Sequence, residues 1–409
     1  PMPAGQTKRH RNDRFLMKIA VIVHGRFHAF DLARALLAEG HDVVVLTNYP
    51  VWATKRFGLP GSRVRSFWLN GVVARIIPRL FGRRMERRLA PFLHKSFGRW
   101  AAREIHRNVY DLVHGFSGVA EESIRARGKG TLHFIVRGSA HIRVQDRLLA
   151  EEAARCGVSI ERPSPWMIDR EEREYRICDR IVVLSSFALK SFVREGVDPA
   201  KLICIPLGVD VKRFRSTPES LAERCRRVLA GGPLKVLYTG NLQFRKGLQD
   251  IVHITQTLKD ENFRFQMVGT VTDEAQAMVA KLPATVELIP RQPQNSLPQW
   301  YAGADLYMLP TIEDGFAVVL TQASANGLPI LTTPNCAGPD MVQDGLSGWV
   351  LPIRDPAAFV EKLRWCESHR PELVEMIQRV HNQFQPRDWR DVAKDLQEAY
   401  LEARLVHQV

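Results

Sequence analysis

Two short stretches hold most of the residues in this chain that could do chemistry. The first is Gly240 to Gly247, read as GNLQFRKG. Gly240 ends an apolar, strand-like run, and Arg245 and Lys246 precede a helical pattern. Two cations beside the free N–H groups of a helix start suit a diphosphate. Cations there oppose the helix dipole, so their placement needs compensation; surface cations at a helix start are the plainer alternative. The second stretch runs from Pro310 to Pro352. Glu313, Asp314 and Gly315 lie in a loop between the apolar run Leu306–Pro310 and the helical pattern Val318–Gly327. Gly315 allows close backbone approach. The N–H groups of Phe316, Ala317 and Val318 can face a phosphate, and Asp314 can accept hydrogen bonds from sugar hydroxyls. A helix-capping carboxylate would also explain Asp314. Gln322 follows eight residues after Asp314 along the helix.

These loops need elements to hold them. Lys18–Gly25, Phe30–Gly40 and His41–Thr47 read as strand, helix and strand, a βαβ unit with parallel pairing. Strand-like runs follow at Asp111–Phe116, Thr131–Val136, Asp179–Ser185 and Lys201–Pro206. A polar, basic, glycine-ended run then leads into a second series: strand Leu234–Gly240, helix Lys246–Asp260, strands Phe263–Gly269 and Ala284–Pro290, helix Ser296–Ala304 and strand Leu306–Pro310. The fold class expected is α/β, two Rossmann-like doubly wound domains facing each other across a cleft. The divisions expected are a disordered extension over 1–16, a first domain over 17–210, a second over 211–385, and a C-terminal helix over 386–409 that packs back toward the first domain.

The 409 residues are 45% hydrophobic, enough for two cores. No apolar run is long enough for a membrane-spanning helix. Residues 1–16 lack the apolar core of a secretory signal, and Met17 is a candidate natural start. Six cysteines form no CxxC pair and suggest reduced, mostly buried thiols. The net charge of +14 is concentrated. Between Val72 and Arg107 stand ten Lys and Arg against two Glu, mixed with Ile76, Ile77, Leu80, Phe81, Phe92 and Trp100. Such a segment is either a solvated basic helix or a face that meets an anionic membrane or acidic acceptor. No nucleic-acid motif accompanies it.

The C-terminal half resembles the retaining glycosyltransferases of family 4, which have the GT-B fold. Asp314 and Gln322 stand in register with the two glutamates that this family spaces eight residues apart, and Ala317 replaces a glycine. Gly240, Asn241, Lys246 and Gly247 match its G-R-x-x-x-x-K-G loop. Pro206–Asp210 and the segment Ala337–Gly348 match two further turns. The resemblance is strong over 178–360 and weaker over 17–150. It implies transfer of a sugar from a nucleotide-sugar donor, with retention, to a glycan or lipid-linked acceptor in cell-surface polysaccharide, lipopolysaccharide or glycolipid synthesis. A GT-B epimerase, a phosphorylase or a non-catalytic nucleotide-sugar binder are the alternatives.

The resemblance also assigns roles. The catalytic candidates are Asp314, Lys246, Arg245, Arg137 and His141. Relatives carry a histidine near the reacting sugar where this chain has Arg137, and His141 follows four residues later. The donor-binding candidates are Gly25, Gly240, Asn241, Glu313, Gly315, Phe316, Ala317, Val318, Gln322 and Arg291. His114 is a family-like feature or a structural strand-end histidine. Arg75, Arg79, Arg83, Arg84, Arg87 and Arg88 are candidates for acceptor or membrane contact, and Glu151-Glu152 read as a solvated helix face. No Asp-x-Asp pair occurs, so no metal or other cofactor is expected. The expected location is cytoplasmic, or peripheral on the cytoplasmic membrane face.

Overall fold

The run Lys18–Val23 is apolar at every position after the lysine, so a strand built from it must be covered on both faces. In a computed structural model, which describes residues 16–385 and 387–407, it is β1, near the middle of a parallel sheet. Most of the extension expected over 1–16 lies outside the described residues, as do Pro386, Gln408 and Val409. So do the side chains of Pro78, Arg79, Arg83, Arg84, Val211 and His407. Among the described residues the first sheet has seven strands. They are β1 (Lys18–Val23), β2 (Asp42–Thr47), β3 (Val64–Ser66), β4 (Leu112–Phe116), β5 (Leu132–Val136), β6 (Arg180–Val183) and β7 (Leu202–Cys204). Their order is β3-β2-β1-β4-β5-β6-β7. The second sheet has six: β8 (Leu234–Thr239), β9 (Phe263–Gly269), β10 (Val286–Pro290), β11 (Leu306–Leu309), β12 (Ile330–Thr332) and β13 (Gly348–Val350), ordered β10-β9-β8-β11-β12-β13.

Alternation along β1 divides the first core. Ile19, Val21 and Val23 pack with the helix Ala29–Ala38, while Ala20 and Ile22 pack with Phe97, Ala101 and Ile105 of the helix Trp68–His106. The helix Trp389–His407 closes the first of these faces through Val392, Ala393, Leu396, Ala399, Tyr400 and Ala403. That spacing is one stripe of an amphipathic helix. The chain thus crosses between the domains twice. The two crossings touch: Val209 N–H donates to Arg387 O at 2.8 Å, and a Cβ on Gly208 would sit 2.6 Å from the carbonyl of Asp388.

The helix Ile142–Cys156 ties the domains together. Leu149 and Ile160 belong to the core of the second domain. Glu152 receives Arg155 at 2.7 Å and Arg354 at 3.0 Å, and Arg155 also reaches Asp250 at 2.8 Å. Glu152 is fully buried. The expected solvated face is therefore corrected for this residue, whereas Glu151 is exposed and meets Arg354 at 2.8 Å.

Two further differences have local causes. The helix expected over Lys246–Asp260 begins only at Leu248. Gly247 interrupts it with φ +78°, in a place where a Cβ would lie 1.9 Å from Pro310 O. His114 ends inside β4 with a buried ring whose Nδ1 has no partner among the described residues, and both ring nitrogens of His133 in β5 are likewise unpaired. His114 is thus a strand histidine packed in the core. Burial pushes its pKa down to about 3, and burial with the nearby Arg127 pushes that of His133 down to about 4.

Two predictions follow from this packing. Replacing Glu152 by Ala leaves two arginines without their buried carboxylate and costs about 3 kcal/mol; the thermal midpoint falls by several degrees, read by calorimetry. Below their ordinary value near 6.5, His114 and His133 stay neutral in the fold while the unfolded chain takes up protons. Stability is complete above that pH and declines toward pH 4, by about 1.4 kcal/mol per unit for each ring. A His114→Leu variant shows a shallower decline in denaturant titrations across that window.

Candidate active site

In open parallel sheets, ligands bind beyond the carboxyl ends of the strands, where the strand order reverses. Both sheets have such a point, at β1/β4 and at β8/β11. The two points face each other. A cleft of about 630 Å³ is bordered by His24 after β1, Phe116 at the end of β4, Arg137 after β5, Thr239 and Gly240 at β8, and Leu309 at β11. A side chamber of about 380 Å³ continues past Phe27, His28 and Val318 to Gln294, Gln322 and Trp389.

The second domain supplies the charged wall. Lys246 pairs with one oxygen of Asp314. The other oxygen accepts the N–H groups of Phe316 at 3.2 Å and Ala317 at 3.0 Å. Asp314 thus binds the turn that leads into the helix Val318–Ala325, whose N-cap is Ala317 with no side-chain cap, and two of the three amides expected to face a phosphate are directed at its carboxylate. Burial alone would raise the Asp314 carboxyl, but the charges of Lys246 and Arg245 outweigh it and hold the group below its usual range. Ala317 has φ +62°, the left-handed region a glycine adopts freely. Asp314, Lys246, Arg245, Gly240, Phe316, Ala317 and Val318 all border the cleft.

Other expected donor contacts are placed elsewhere. Glu313 is fully buried and does not border the cleft. Its carboxylate accepts Ala140 N–H at 2.8 Å and the Gln145 amide at 3.0 Å, and pairs with Arg245 at 2.9 Å. Gly315 does permit a close approach, but to the other domain: a Cβ there would lie 2.2 Å from Gly138 O. Gly25 sits in a positive-φ turn held by Asn48 and Thr47, behind His24 and Phe27. Asn241 is exposed, with its carbonyl accepting the Tyr238 hydroxyl at 2.6 Å, and Arg291 is exposed beyond β10. Among the described residues lining the cleft and chamber, Gly25, Asn241, Gly315 and Arg291 do not appear. Gln322 lines the chamber, where Tyr301 donates to its Oε1 at 2.9 Å.

The first domain supplies a wall of rings and one ion pair. Arg137 borders the cleft, paired with Glu171 at 3.1 Å and donating to Gln145 at 2.7 Å. His141 does not border it. That ring accepts Arg143 N–H at 3.3 Å, packs on Tyr175 and Phe192, and lines a separate surface pocket with Glu195 and Lys201. The helix cap turns His141 away while Arg137, at the strand end, points inward. His94 was not singled out from the sequence, yet it stacks on His24 at 5.0 Å inside the cleft. Burial lowers both, His94 to about 4. His28, also in the cleft, is lowered to about 4 by burial. The ring wall is therefore neutral at pH 7. Glu171 and Met167 also line it and carried no sequence signal beyond an ordinary helical pattern.

The basic segment forms the helix Trp68–His106, broken at Gly82 by φ 72° and ψ 176°. Leu80 and Phe81 beside the break are 69% and 64% exposed. Arg87 and Arg88 are exposed, and Arg75 lies 5.2 Å over the Tyr49 ring. No described helix is long and apolar enough to cross a membrane.

Residues 26–213 match the family described as Glycosyltransferase Family 4, and residues 233–369 match that described as Glycosyl transferases group 1. The D-inositol 3-phosphate glycosyltransferase of Streptomyces bingchenggensis is 26% identical over 340 residues, 77% of this chain and 71% of that protein. The putative colanic acid biosynthesis glycosyltransferase WcaL of Salmonella typhimurium is 28% identical over 202 residues, 46% of this chain and 48% of that protein. The chain thus spans about half the length of that relative. Among solved structures, Anabaena Alr3699/HepE in complex with UDP-glucose has a TM-score of 0.65 at 13% identity, over 94% of this chain and 100% of that one. Sucrose-phosphate synthase from Thermosynechococcus elongatus has a TM-score of 0.64 at 18% identity, over 96% and 100%. With one family match on each sheet and the cleft between them, the chain belongs to the GT-B glycosyltransferases, its first domain of Glycosyltransferase Family 4 and its second of Glycosyl transferases group 1.

Proposed function

We propose that this enzyme moves a sugar from a nucleotide-sugar donor, with retention, to a glycan or lipid-linked acceptor in cell-surface polysaccharide, lipopolysaccharide or glycolipid synthesis. The observation that carries the reading is the pair of cations, Arg245 and Lys246, at the cleft end of β8, facing a neutral, ring-lined wall. The bond between the anomeric carbon and the departing phosphate oxygen breaks, and negative charge grows on that phosphate. Arg245 and Lys246 stand where they stabilise it. The acceptor oxygen bonds to the anomeric carbon on the same face and passes its proton to the departing phosphate oxygen. Asp314 fixes Lys246 and reaches donor hydroxyls. Gln322, whose oxygen is held by Tyr301, presents its amide N–H groups to a ribose. Phe27 and the neutral His24 and His94 offer apolar faces to a sugar ring, with Arg137 and Glu171 beside them. Protein cations rather than a bound metal balance the diphosphate in this reading.

The relatives support the substrate class. Among them are proteins named for colanic acid and amylovoran biosynthesis, and solved neighbours are complexes with UDP and UDP-glucose. The exposed Leu80, Phe81, Arg87 and Arg88 support peripheral attachment to an anionic membrane, on the cytoplasmic face.

Replacing Lys246 by Ala lowers turnover by about a hundredfold or more and weakens donor-induced thermal stabilisation. Replacing Asp314 by Ala cuts turnover while nucleoside diphosphate affinity changes by less than about threefold. Unchanged turnover in the lysine variant, with each of UDP-, GDP- and ADP-sugars tried as donor, would sink the diphosphate assignment. For the membrane, co-sedimentation with liposomes shows a preference for anionic over neutral lipid, and a Leu80→Ser, Phe81→Ser variant loses it.

A further inference from the structure

Glu313 is a fully buried carboxylate in the loop after β11, and it does not itself border the cleft. Two of its contacts cross the domain boundary, from Ala140 N–H at 2.8 Å and the Gln145 amide at 3.0 Å. The third is Arg245 Nε at 2.9 Å, within its own domain. Gly315, two residues on, reinforces the crossing. Ser185 donates to Gly315 O at 2.6 Å, and Gly315 lies against Gly138 so closely that no side chain fits between them. Gln145 accepts Arg137 at 2.7 Å while donating to Glu313, so one unbroken chain joins the cation of the first wall to a cation of the second.

The geometry points to Glu313 as a positioning residue: a latch that sets Arg245 against the donor diphosphate only when the domains are closed. Bulky substrates enter and leave a cleft between two domains by opening it. On opening, the carboxylate loses two of its three partners. A buried charge so deprived rehydrates and relaxes its hold on geometry. Arg245 then keeps its own-domain contact to Glu313 O at 3.0 Å but loses the fixed carboxylate that orients the guanidinium. Arg245 is so aligned in the state that also brings Arg137 and Glu171 to the sugar, which ties leaving-group stabilisation to acceptor presence. This deepens the transferase reading and rests on it.

The test is Glu313→Gln, an isosteric change that removes the charge and places an amide donor among donors. A second variant, Gln145→Met, removes one of the two bonds that cross to Glu313 while leaving Glu313 itself, the partner of Arg245, in place. Expected for Glu313→Gln is a kcat lowered by at least about tenfold with the Kd for nucleoside diphosphate within about threefold. Both variants also have a larger radius of gyration by small-angle scattering than the wild type under the same conditions. A wild-type radius of gyration in both variants overturns the proposal. So does a Kd weakened by more than about tenfold with kcat intact, since Glu313 would then be a direct donor ligand. If the wild type transfers no sugar from any donor tried, the transferase reading fails, while the scattering comparison still decides whether Glu313 holds the domains together.

Discussion

Two consecutive acids meet two consecutive cations: Glu313-Asp314 against Arg245-Lys246. Both acids are buried or nearly so, and a carboxylate taken out of water needs a partner at close range. Backbone bonds zip the same two loops together, with Arg245 O accepting Ile312 N–H at 2.9 Å and the Thr311 hydroxyl at 3.2 Å. Gly247 permits this because its backbone runs against Pro310 with no room for a side chain. The loop after β8 and the loop after β11 are therefore one rigid body. The charged wall of the cleft follows from that union, and so does its ability to keep two cations beside a helix start.

The opposite wall is built by a contrary principle. Its histidines are neutral through burial, and Arg137, its one cation among the described residues lining the main cleft, is held by Glu171, while Arg26, Arg34 and Arg56 line the side chamber. In the main cleft the second domain thus contributes the pair Lys246 and Asp314 with Arg245, and the first domain the pair Arg137 and Glu171.

Much of this could be read from the chain in one dimension. The buried strands announce themselves as unbroken apolar runs, because parallel strands are covered on both faces. Arg245, Lys246, Asp314 and Gly240 were legible because each sits where a strand gives way to a loop. What escaped was direction. Glu152 and Glu151 are neighbours of the same type, yet one is buried between domains and the other exposed, a distinction made by Arg155 and Arg354 from far along the chain. His141 and Arg137 differ by four positions, and a helix cap sends the first to a separate surface pocket. His94 lies in a basic helical segment whose pattern says nothing of the His24 ring it stacks on. Glu313 looked like a donor ligand because a carboxylate in an active-site loop reads the same whether it faces a sugar or a neighbouring domain.

The paired crossings at Gly208 and Asp388 have a mechanical meaning. A single tether would let one domain swivel in any direction relative to the other. Two segments running side by side, bonded through Val209 and Arg387 and in backbone contact, resist twist and leave bending as the soft motion. The halves then move like the covers of a book on its spine. Each return to the closed page brings the same residues into register, with no search over orientations. The close pairing at this spine depends on a glycine, Gly208, which itself lines the side chamber of the cleft.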